Sequence, residues 1–132
     1  MSMFVDSSAF VALLDRDDPR HDHARDTWTS LVTDEVDLVT TNYVVLETTA
    51  VVQRLLGLDA VCEFHASLMA PVQMHWIDQE TQASALTMLL AARRRTLSLV
   101  DCTSFEAMRR LGIADVFAFD RHFKDQGFTV MP

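Results

Sequence analysis

Glycine and cysteine are scarce in this chain, and lysine is almost absent. Among 132 residues there are three glycines, two cysteines and a single lysine. Gly57, Gly112 and Gly127 are too far apart to form a glycine-rich loop that cradles phosphate. Cys62 and Cys102 have neither CxxC spacing nor histidines at zinc-finger intervals, and they imply no disulfide framework. The sequence therefore argues against a nucleotide-binding loop, a zinc finger and a disulfide-stapled scaffold.

Long apolar runs are also missing. No uninterrupted apolar stretch approaches the roughly 18 residues of a membrane span. The N-terminus has no basic region followed by an apolar one, as a secretory signal would have. We therefore expect the protein to reside in the cytoplasm.

Positive charge is the third deficit. The formal net charge is -8 at pH 7, which does not suit a nucleic-acid-binding protein, because phosphate contacts usually need a basic face. Bound cations would invert the local field at an acidic cleft. A basic partner protein would also suit such a surface. The charge alone leaves both possibilities open.

The composition is otherwise that of an ordinary globular protein, with 49% hydrophobic and 23% charged residues. The length suits one domain with its own core. Apolar periodicity predicts short buried strands that alternate with helices, which implies a parallel sheet covered on both faces, an α/β sandwich. The predicted strands are residues 3–5, 37–41, 72–77, 116–119 and 128–131, and the predicted helices are residues 7–14, 20–32, 42–56, 58–69, 79–95, 99–111 and 121–124.

Four acidic residues lie next to or within apolar segments: Asp6, Glu47, Asp101 and Asp120. Acidic side chains are almost never fully buried unless they are paired, hydrogen-bonded or bound to a metal. Because separate segments supply these carboxylates, they suggest one shared partner, and a hard divalent cation with oxygen ligands fits that role. The pattern points to a metal-dependent enzyme that acts on phosphate esters.

The predicted topology brings the four acids together. Ligands of open α/β sheets bind outside the carboxyl ends of the strands, and Asp6 and Asp120 each follow a predicted strand. Glu47 and Asp101 lie on the apolar faces of their helices, which must pack on the sheet. We therefore expect the four carboxylates to converge. Asp115 is a further acid, but it precedes its predicted strand and ranks below Asp120.

Each acid taken alone also has a purely structural explanation. The three aspartates lie at strand-to-helix junctions, where an aspartate cap stabilises a helix by about 1 kcal/mol. Glu47 is too far inside its helix to cap it, but it could pair with a buried arginine such as Arg54 or Arg109. Four separate coincidences are a weaker explanation than one shared site.

Other polar clusters carry weaker signals. His21 and His23 lie near two acids, but alternate positions on a helix point apart, so a solvated polar face is expected. The remaining histidines, including His122, are scattered, and no nucleophile elbow or Ser–His–Asp order is present. Arginines 93–95 lie at a predicted helix C-terminus, where cations favour the helix dipole. Binding of phosphate or of an acidic partner is the alternative for them.

Taken together, these segments resemble the PIN-domain ribonucleases, particularly the VapC-type toxins of bacterial toxin–antitoxin pairs. The resemblance covers nearly the whole chain and implies a single PIN-like domain over residues 1–132. It implies a three-layer sandwich with a central, mainly parallel sheet flanked by helices. The segments that show the resemblance are Phe4–Ala9, Asn42–Glu47, Leu97–Phe105 and Phe117–Phe123, and the last two are the more specific for the family.

The resemblance implies an endoribonuclease that hydrolyses RNA of the translation apparatus and leaves a 5′-phosphate and a 3′-hydroxyl. Asp6, Glu47, Asp101 and Asp120 match the family's acidic quartet, which holds Mg²⁺ or Mn²⁺ to activate water. Asp6 and Asp101 would be the firmest ligands. Ala118 stands where such toxins often carry a hydroxyl residue, so a hydrogen bond from that side chain is missing. A cognate antitoxin, a homodimer and no membrane association are also implied.

Two other functions compete with this one. A phosphoryl-accepting receiver module also gathers acids and Mg²⁺ at strand ends. It expects adjacent acids after the first strand, whereas Ser7 and Ser8 follow Asp6, and it requires a lysine, for which only Lys124 is available. The second competitor is an inactive PIN scaffold that only binds protein, and the intact quartet argues against it.

Overall fold

A central sheet of five parallel strands is flanked by seven α-helices, and the computed structural model describes all of Met1–Pro132. The strands are β1 Ser2–Val5, β2 Asp37–Thr41, β3 Val72–His75, β4 Asp115–Phe117 and β5 Thr129–Met131. The helices are α1 Ser7–Leu14, α2 His21–Thr33, α3 Asn42–Leu56, α4 Leu58–Glu63, α5 Gln79–Ala92, α6 Leu99–Leu111 and α7 His122–Asp125. This arrangement confirms the predicted α/β sandwich.

The strand order places β1 in the middle of the sheet. The order is β3-β2-β1-β4-β5, and every neighbouring pair is parallel. The register pairs Val5 with Phe117, so β1 and β4 end side by side. The backbone N–H of Asp6 then donates to the carbonyl of Phe117 at 3.0 Å. The connection after β1 runs toward one edge of the sheet and the connection after β4 runs toward the other, so the carboxyl ends of these two strands form the topological switch point, where α/β sheets bind ligands.

Aromatic packing fixes the two helices that flank this switch point. Phe4 of β1, Phe105 of α6 and Phe123 of α7 are fully buried. The rings of Phe105 and Phe123 meet edge to face with centroids 5.1 Å apart, and Phe123 lies 6.5 Å from Phe4. Such aromatic contacts contribute about 0.5–1.5 kcal/mol each beyond the burial of area. Helix α6 is therefore packed against β1 through α7.

The fourth strand is shorter at its carboxyl end than the sequence predicts. The predicted strand reached residue 119, but β4 ends at Phe117. The backbone N–H of Phe119 donates to the hydroxyl of Ser8 at 2.9 Å instead of joining a strand ladder. Because of this bond the chain leaves the sheet before Asp120. Asp120 therefore lies on a loop, three residues after the last residue of β4.

Helix boundaries also differ from the prediction in two places. The predicted helix over 58–69 divides into α4 and a π-helical turn at Phe64–Leu68. Helix α5 ends at Ala92, because Arg93 adopts a left-handed backbone with φ 53°. Arginines 93–95 therefore lie outside the helix, on the loop that leads into α6. None of the helices has the length and apolar character needed to cross a membrane.

Candidate active site

The four predicted acids gather at the carboxyl ends of β1 and β4, and we call them the acidic cluster: Asp6, Glu47, Asp101 and Asp120. Asp6 is 2% exposed and Asp101 is 8% exposed, whereas Glu47 and Asp120 are half-buried. A carboxylate oxygen of Asp101 lies within 4.8 Å of one of Asp120. Asp6 and Glu47 lie outside that tightest group, although Asp101 and Asp120 both act on them electrostatically. The cluster therefore has a tight centre and two flanking acids.

Asp6 is held by the first turn of α1. Its Oδ2 accepts hydrogen bonds from the backbone N–H of Ser8 at 3.1 Å and from the Ser8 hydroxyl at 2.7 Å. The same hydroxyl accepts from the Phe119 N–H, so Ser8 ties Asp6 to the segment that carries Asp120. Asp6 thus caps α1, as the structural explanation predicted, but its Oδ1 accepts no bond.

Asp101 also has a structural role at the start of its helix. Its Oδ2 accepts from the Ser98 N–H at 3.0 Å, and its own N–H donates to the Ser98 hydroxyl at 3.0 Å. These two bonds form a capping box at the start of α6. As in Asp6, the cap occupies one carboxylate oxygen, and Oδ1 is free.

Glu47 has no arginine partner, so the alternative explanation for this residue is wrong. Its Oε2 accepts a long bond from the Ser7 hydroxyl at 3.4 Å. Arg54 is exposed and forms no ion pair, while Arg109 donates to Gln126 and lies over the ring of Phe128. The carboxylate of Glu47 is therefore available to a ligand.

The four carboxylates share one bonding pattern. Each commits one oxygen to a hydrogen bond within the protein and leaves the other free; for Asp120 the committed oxygen accepts from the His122 N–H at 2.9 Å. None takes part in an ion pair, since all five ion pairs lie elsewhere. Free carboxylate oxygens without an ion-pair partner are the donor set that hard divalent cations prefer. The residues present therefore fit a Mg²⁺ or Mn²⁺ site.

The electrostatics of the cluster favour a positive ligand. Burial raises the pKa of Asp6 from 3.8 to about 7, the Ser8 hydrogen bonds oppose that rise, and repulsion from Asp101 and Asp120 adds to it. Burial also raises the pKa of Glu47 and of Asp101, with repulsion between carboxylates contributing to both. Clustered charges of one sign disfavour ionisation, and a cation among them would reverse this effect.

His122 belongs to the centre of the cluster, although sequence reasoning missed it. A ring nitrogen lies within 4.8 Å of carboxylate oxygens of both Asp101 and Asp120. The side chain is buried, its Nε2 lies 3.1 Å from the Thr96 carbonyl oxygen, and its Nδ1 has no hydrogen-bond partner. The sequence feature that could have indicated His122 is its position two residues after Asp120, within the family-like segment Phe117–Phe123.

Two other candidates lie outside the site. His23 is exposed on α2, where Arg25 pairs with two neighbouring acids, as expected for a solvated surface, whereas His21 is half-buried and its Nδ1 lies 2.8 Å from the Ala12 carbonyl oxygen. Asp115 begins β4 and lies at the amino end of that strand, away from the acidic cluster.

Two concave regions contain basic residues, and the first of them adjoins the cluster. One, of about 540 Å³, includes Asp120 and the exposed side chains of Arg121 and Lys124, beside the partly buried ring of Phe119. The other, of about 430 Å³, is lined by arginines 93–95 and two leucines. Basic residues therefore approach the acidic centre although the net charge of the chain is -8.

Ser8→Ala should be more destabilising than Ser7→Ala. The Ser8 hydroxyl joins Asp6 to Phe119, so its loss leaves the Phe119 N–H without its partner and removes one of the two hydrogen bonds to the buried Asp6 carboxylate, which costs about 1–3 kcal/mol. Ser7 makes only the 3.4 Å bond to Glu47. Urea unfolding of the two variants in chelator tests this difference. Equal, small effects would show that Ser8 does not connect the two segments.

Comparison with known proteins gives a consistent result. The sequence model of the PIN domain matches residues 3–128, which include the whole acidic cluster. The 23S rRNA-specific endonuclease VapC20 of Mycobacterium tuberculosis, in strains CDC 1551 and H37Rv, is 33% identical over 128 residues, which are 96% of this chain and 95% of the relative. The crystal structure of Mycobacterium tuberculosis VapC20, a sarcin–ricin loop cleaving toxin, matches with TM-score 0.89 and 33% identity, covering 99% of this chain and 100% of that chain.

Proposed function

This chain belongs to the PIN-domain family, and from that premise we propose that it is a VapC-type toxin, a metal-dependent endoribonuclease. The observation that carries the proposal is the acidic cluster, in which four carboxylates each keep one oxygen free and no basic side chain pairs with them. Because the relatives of similar sequence and fold act on 23S rRNA, we expect RNA of the translation apparatus to be the substrate, with the sarcin–ricin loop as the first candidate.

The side chains of the acidic cluster would have different roles in phosphodiester hydrolysis. Asp6 and Asp101 would hold Mg²⁺ or Mn²⁺ through their free Oδ1 atoms, and Glu47 and Asp120 would bind directly or through water. When bound, the cation would polarise a phosphoryl oxygen and lower the pKa of a water molecule. Glu47, half-buried and with a raised pKa, is suited to accept a proton from that water. Ser8 and Ser98 keep the two aspartates in place.

The ends of the products test this chemistry. Attack by water predicts a 5′-phosphate and a 3′-hydroxyl, and a substrate with a single 2′-deoxy sugar at the cleaved linkage should still be cut. A 2′,3′-cyclic phosphate would show that the neighbouring hydroxyl, not water, is the nucleophile. Failure of the folded protein to cleave any RNA in Mg²⁺ or Mn²⁺ would favour the alternative, an inactive PIN scaffold that binds a protein partner.

Basic residues beside the cluster would position the RNA backbone. Arg121 and Lys124 are exposed in the concave region that includes Asp120, and neither forms an ion pair. Arginines 93–95 lie on the loop that precedes the helix of Asp101 and would contact RNA or a partner protein. Charges at these places explain how an acidic chain can hold a polyanion next to its carboxylates.

Lys124→Gln should weaken RNA binding and reduce its salt dependence. Loss of one phosphate contact lowers the slope of log affinity against log salt by about 0.7–0.9. The measurement uses RNA affinity over a series of salt concentrations in an Asp101→Asn background, so that no cleavage occurs. Arg25→Gln is the control, because Arg25 pairs with acids on α2. An unchanged slope in Lys124→Gln would remove Lys124 from the RNA surface.

A cognate antitoxin is the proposed protein partner. A basic side chain of the antitoxin, placed among the four carboxylates, would occupy the cation's position and block the site. Exposed apolar side chains, among them Leu46, Trp76 and Leu90, offer further surface for this partner or for a homodimer. An RNA substrate of the translation apparatus implies a cytoplasmic site of action.

A further inference from the structure

We propose that His122 supplies a nitrogen ligand to the cation site of the acidic cluster and thereby makes this site prefer Mn²⁺ over Mg²⁺. The inference rests on the proposed function and deepens it. It arises from three observations on one side chain, which is 8% exposed. A ring nitrogen approaches two carboxylates, Nε2 lies 3.1 Å from a backbone carbonyl oxygen, and the buried Nδ1 has no hydrogen-bond partner.

The hydrogen bond to Thr96 determines which nitrogen is free. A carbonyl oxygen only accepts, so the Nε2 of His122, 3.1 Å from the Thr96 oxygen, must carry the proton. In the neutral ring, Nδ1 then presents a lone pair. A protonated Nδ1 would be expected to donate to a neighbouring carboxylate, but neither Asp101 nor Asp120 accepts such a bond. Metal-binding histidines are oriented by the same kind of bond from the second ring nitrogen to a carbonyl.

The surroundings of Nδ1 call for a cation rather than for another hydrogen bond. The nearby Asp101 and Asp120 present carboxylate oxygens, which are acceptors like the Nδ1 lone pair, and no donor is bonded to Nδ1. An unsatisfied buried polar atom is rare in folded proteins and requires an explanation. A positive ion shared by the three groups would satisfy all of them at once.

The spacing is compatible with such an ion. The three ligand atoms of Asp101, Asp120 and His122 lie within 4.8 Å of one another. Octahedral Mg²⁺ sites hold ligands about 2.1 Å from the ion, so opposed ligands are about 4.2 Å apart. Three ligands of one ion include at most one opposed pair, and adjacent ligands are about 3.0 Å apart, so the three side chains must draw together when the ion binds.

A nitrogen ligand changes which ion is preferred. Carboxylate and water oxygens suit Mg²⁺, Ca²⁺ and Mn²⁺ alike, whereas imidazole favours transition metals. A site with three or four carboxylates and one imidazole should therefore bind Mn²⁺ more tightly than Mg²⁺. Loss of the imidazole should reduce this preference and leave the binding of Mg²⁺ by oxygen ligands little changed.

Pulsed electron paramagnetic resonance of Mn²⁺ bound to the wild-type protein tests the ligand directly. A nitrogen hyperfine coupling is expected, and it should change to the ¹⁵N pattern when the protein contains ¹⁵N-histidine. His122→Gln, which keeps an N–H donor for the Thr96 carbonyl, should lose the coupling, and His23→Gln should retain it. Because the labelled protein is wild type, the test holds even if His122→Gln fails to fold.

Metal affinity supplies the second readout. In His122→Gln the affinity for Mn²⁺ should fall about tenfold or more, since mutation of even the outer partners of metal ligands costs about 10–100-fold. The Mg²⁺ affinity should change much less. Bound Mn²⁺ without nitrogen coupling, or a coupling that persists in His122→Gln, would overturn the role of His122 while RNA cleavage upholds the proposed function. Failure of Mn²⁺ to bind at all would overturn both.

Discussion

Asp101→Asn should abolish RNA cleavage and leave the metal-free protein at least as stable as the wild type. Loss of a metal ligand removes several kcal/mol of transition-state stabilisation, a rate loss of about a hundredfold or more. The carboxylate of Asp101 raises the pKa of Asp6 and of Glu47, so its removal relieves repulsion. Asparagine keeps an oxygen for the Ser98 N–H and therefore preserves the capping box.

Thermal melts in chelator and in Mg²⁺ should show the two proteins in opposite order. A ligand at 100 times its dissociation constant stabilises the folded state by about 2.7 kcal/mol, and the variant would lose most of this gain. Asp115→Asn, at the opposite end of β4, is the matched control and should respond to Mg²⁺ as the wild type does. If Asp101→Asn melts well below the wild type in chelator, the residue is primarily a structural cap.

The metal-free protein should lose stability relative to Asp6→Asn as the pH rises from about 4 to 7. Asp6 has a pKa of about 7 in the folded protein against 3.8 as the ordinary value. The folded state therefore holds this proton more tightly than the unfolded state. Its stabilising effect is fully present below about pH 4, is lost as the pH rises to about 7, and amounts to at most about 4 kcal/mol.

Unfolding curves of both proteins, measured in chelator across this range, give the difference directly. Asparagine resembles the protonated aspartate and can accept both Ser8 hydrogen bonds, so the comparison isolates the charge. Metal binding requires the carboxylate, and Mg²⁺ affinity should therefore rise with pH up to about 7. Parallel stability curves for the two proteins would show that Asp6 ionises normally and is not desolvated.

Local sequence features were sufficient to predict most of the fold and the four acids. Apolar runs followed by aspartate mark the strand ends and helix starts; Asp6 is both the cap of α1 and a cluster member, and Asp101 is both a partner in the capping box of α6 and a cluster member. The two explanations were never exclusive, because a carboxylate has two oxygens and a cap occupies only one. The capping bonds are what aim the free oxygens of these aspartates.

The features that the sequence did not predict depend on contacts between distant segments. Strand β4 ends early because the hydroxyl of Ser8 accepts a hydrogen bond from the N–H of Phe119. These two residues are 111 positions apart in the sequence. His122 is placed by the carbonyl of Thr96, 26 positions away. Neither contact produces a periodicity or a motif in the sequence, and both can be identified only from the three-dimensional structure.

RNA cleavage by the purified protein, after exhaustive chelation and after return of one cation at a time, tests most directly whether the acidic cluster is a metal-dependent nuclease site. A cation held by these carboxylates predicts no cleavage in chelator and recovery with Mg²⁺ or Mn²⁺. Recovery with Ca²⁺ should be poor, because Ca²⁺ takes more ligands at longer distances and would misplace the water and the phosphate. Cleavage that continues undiminished after exhaustive chelation would contradict the metal mechanism.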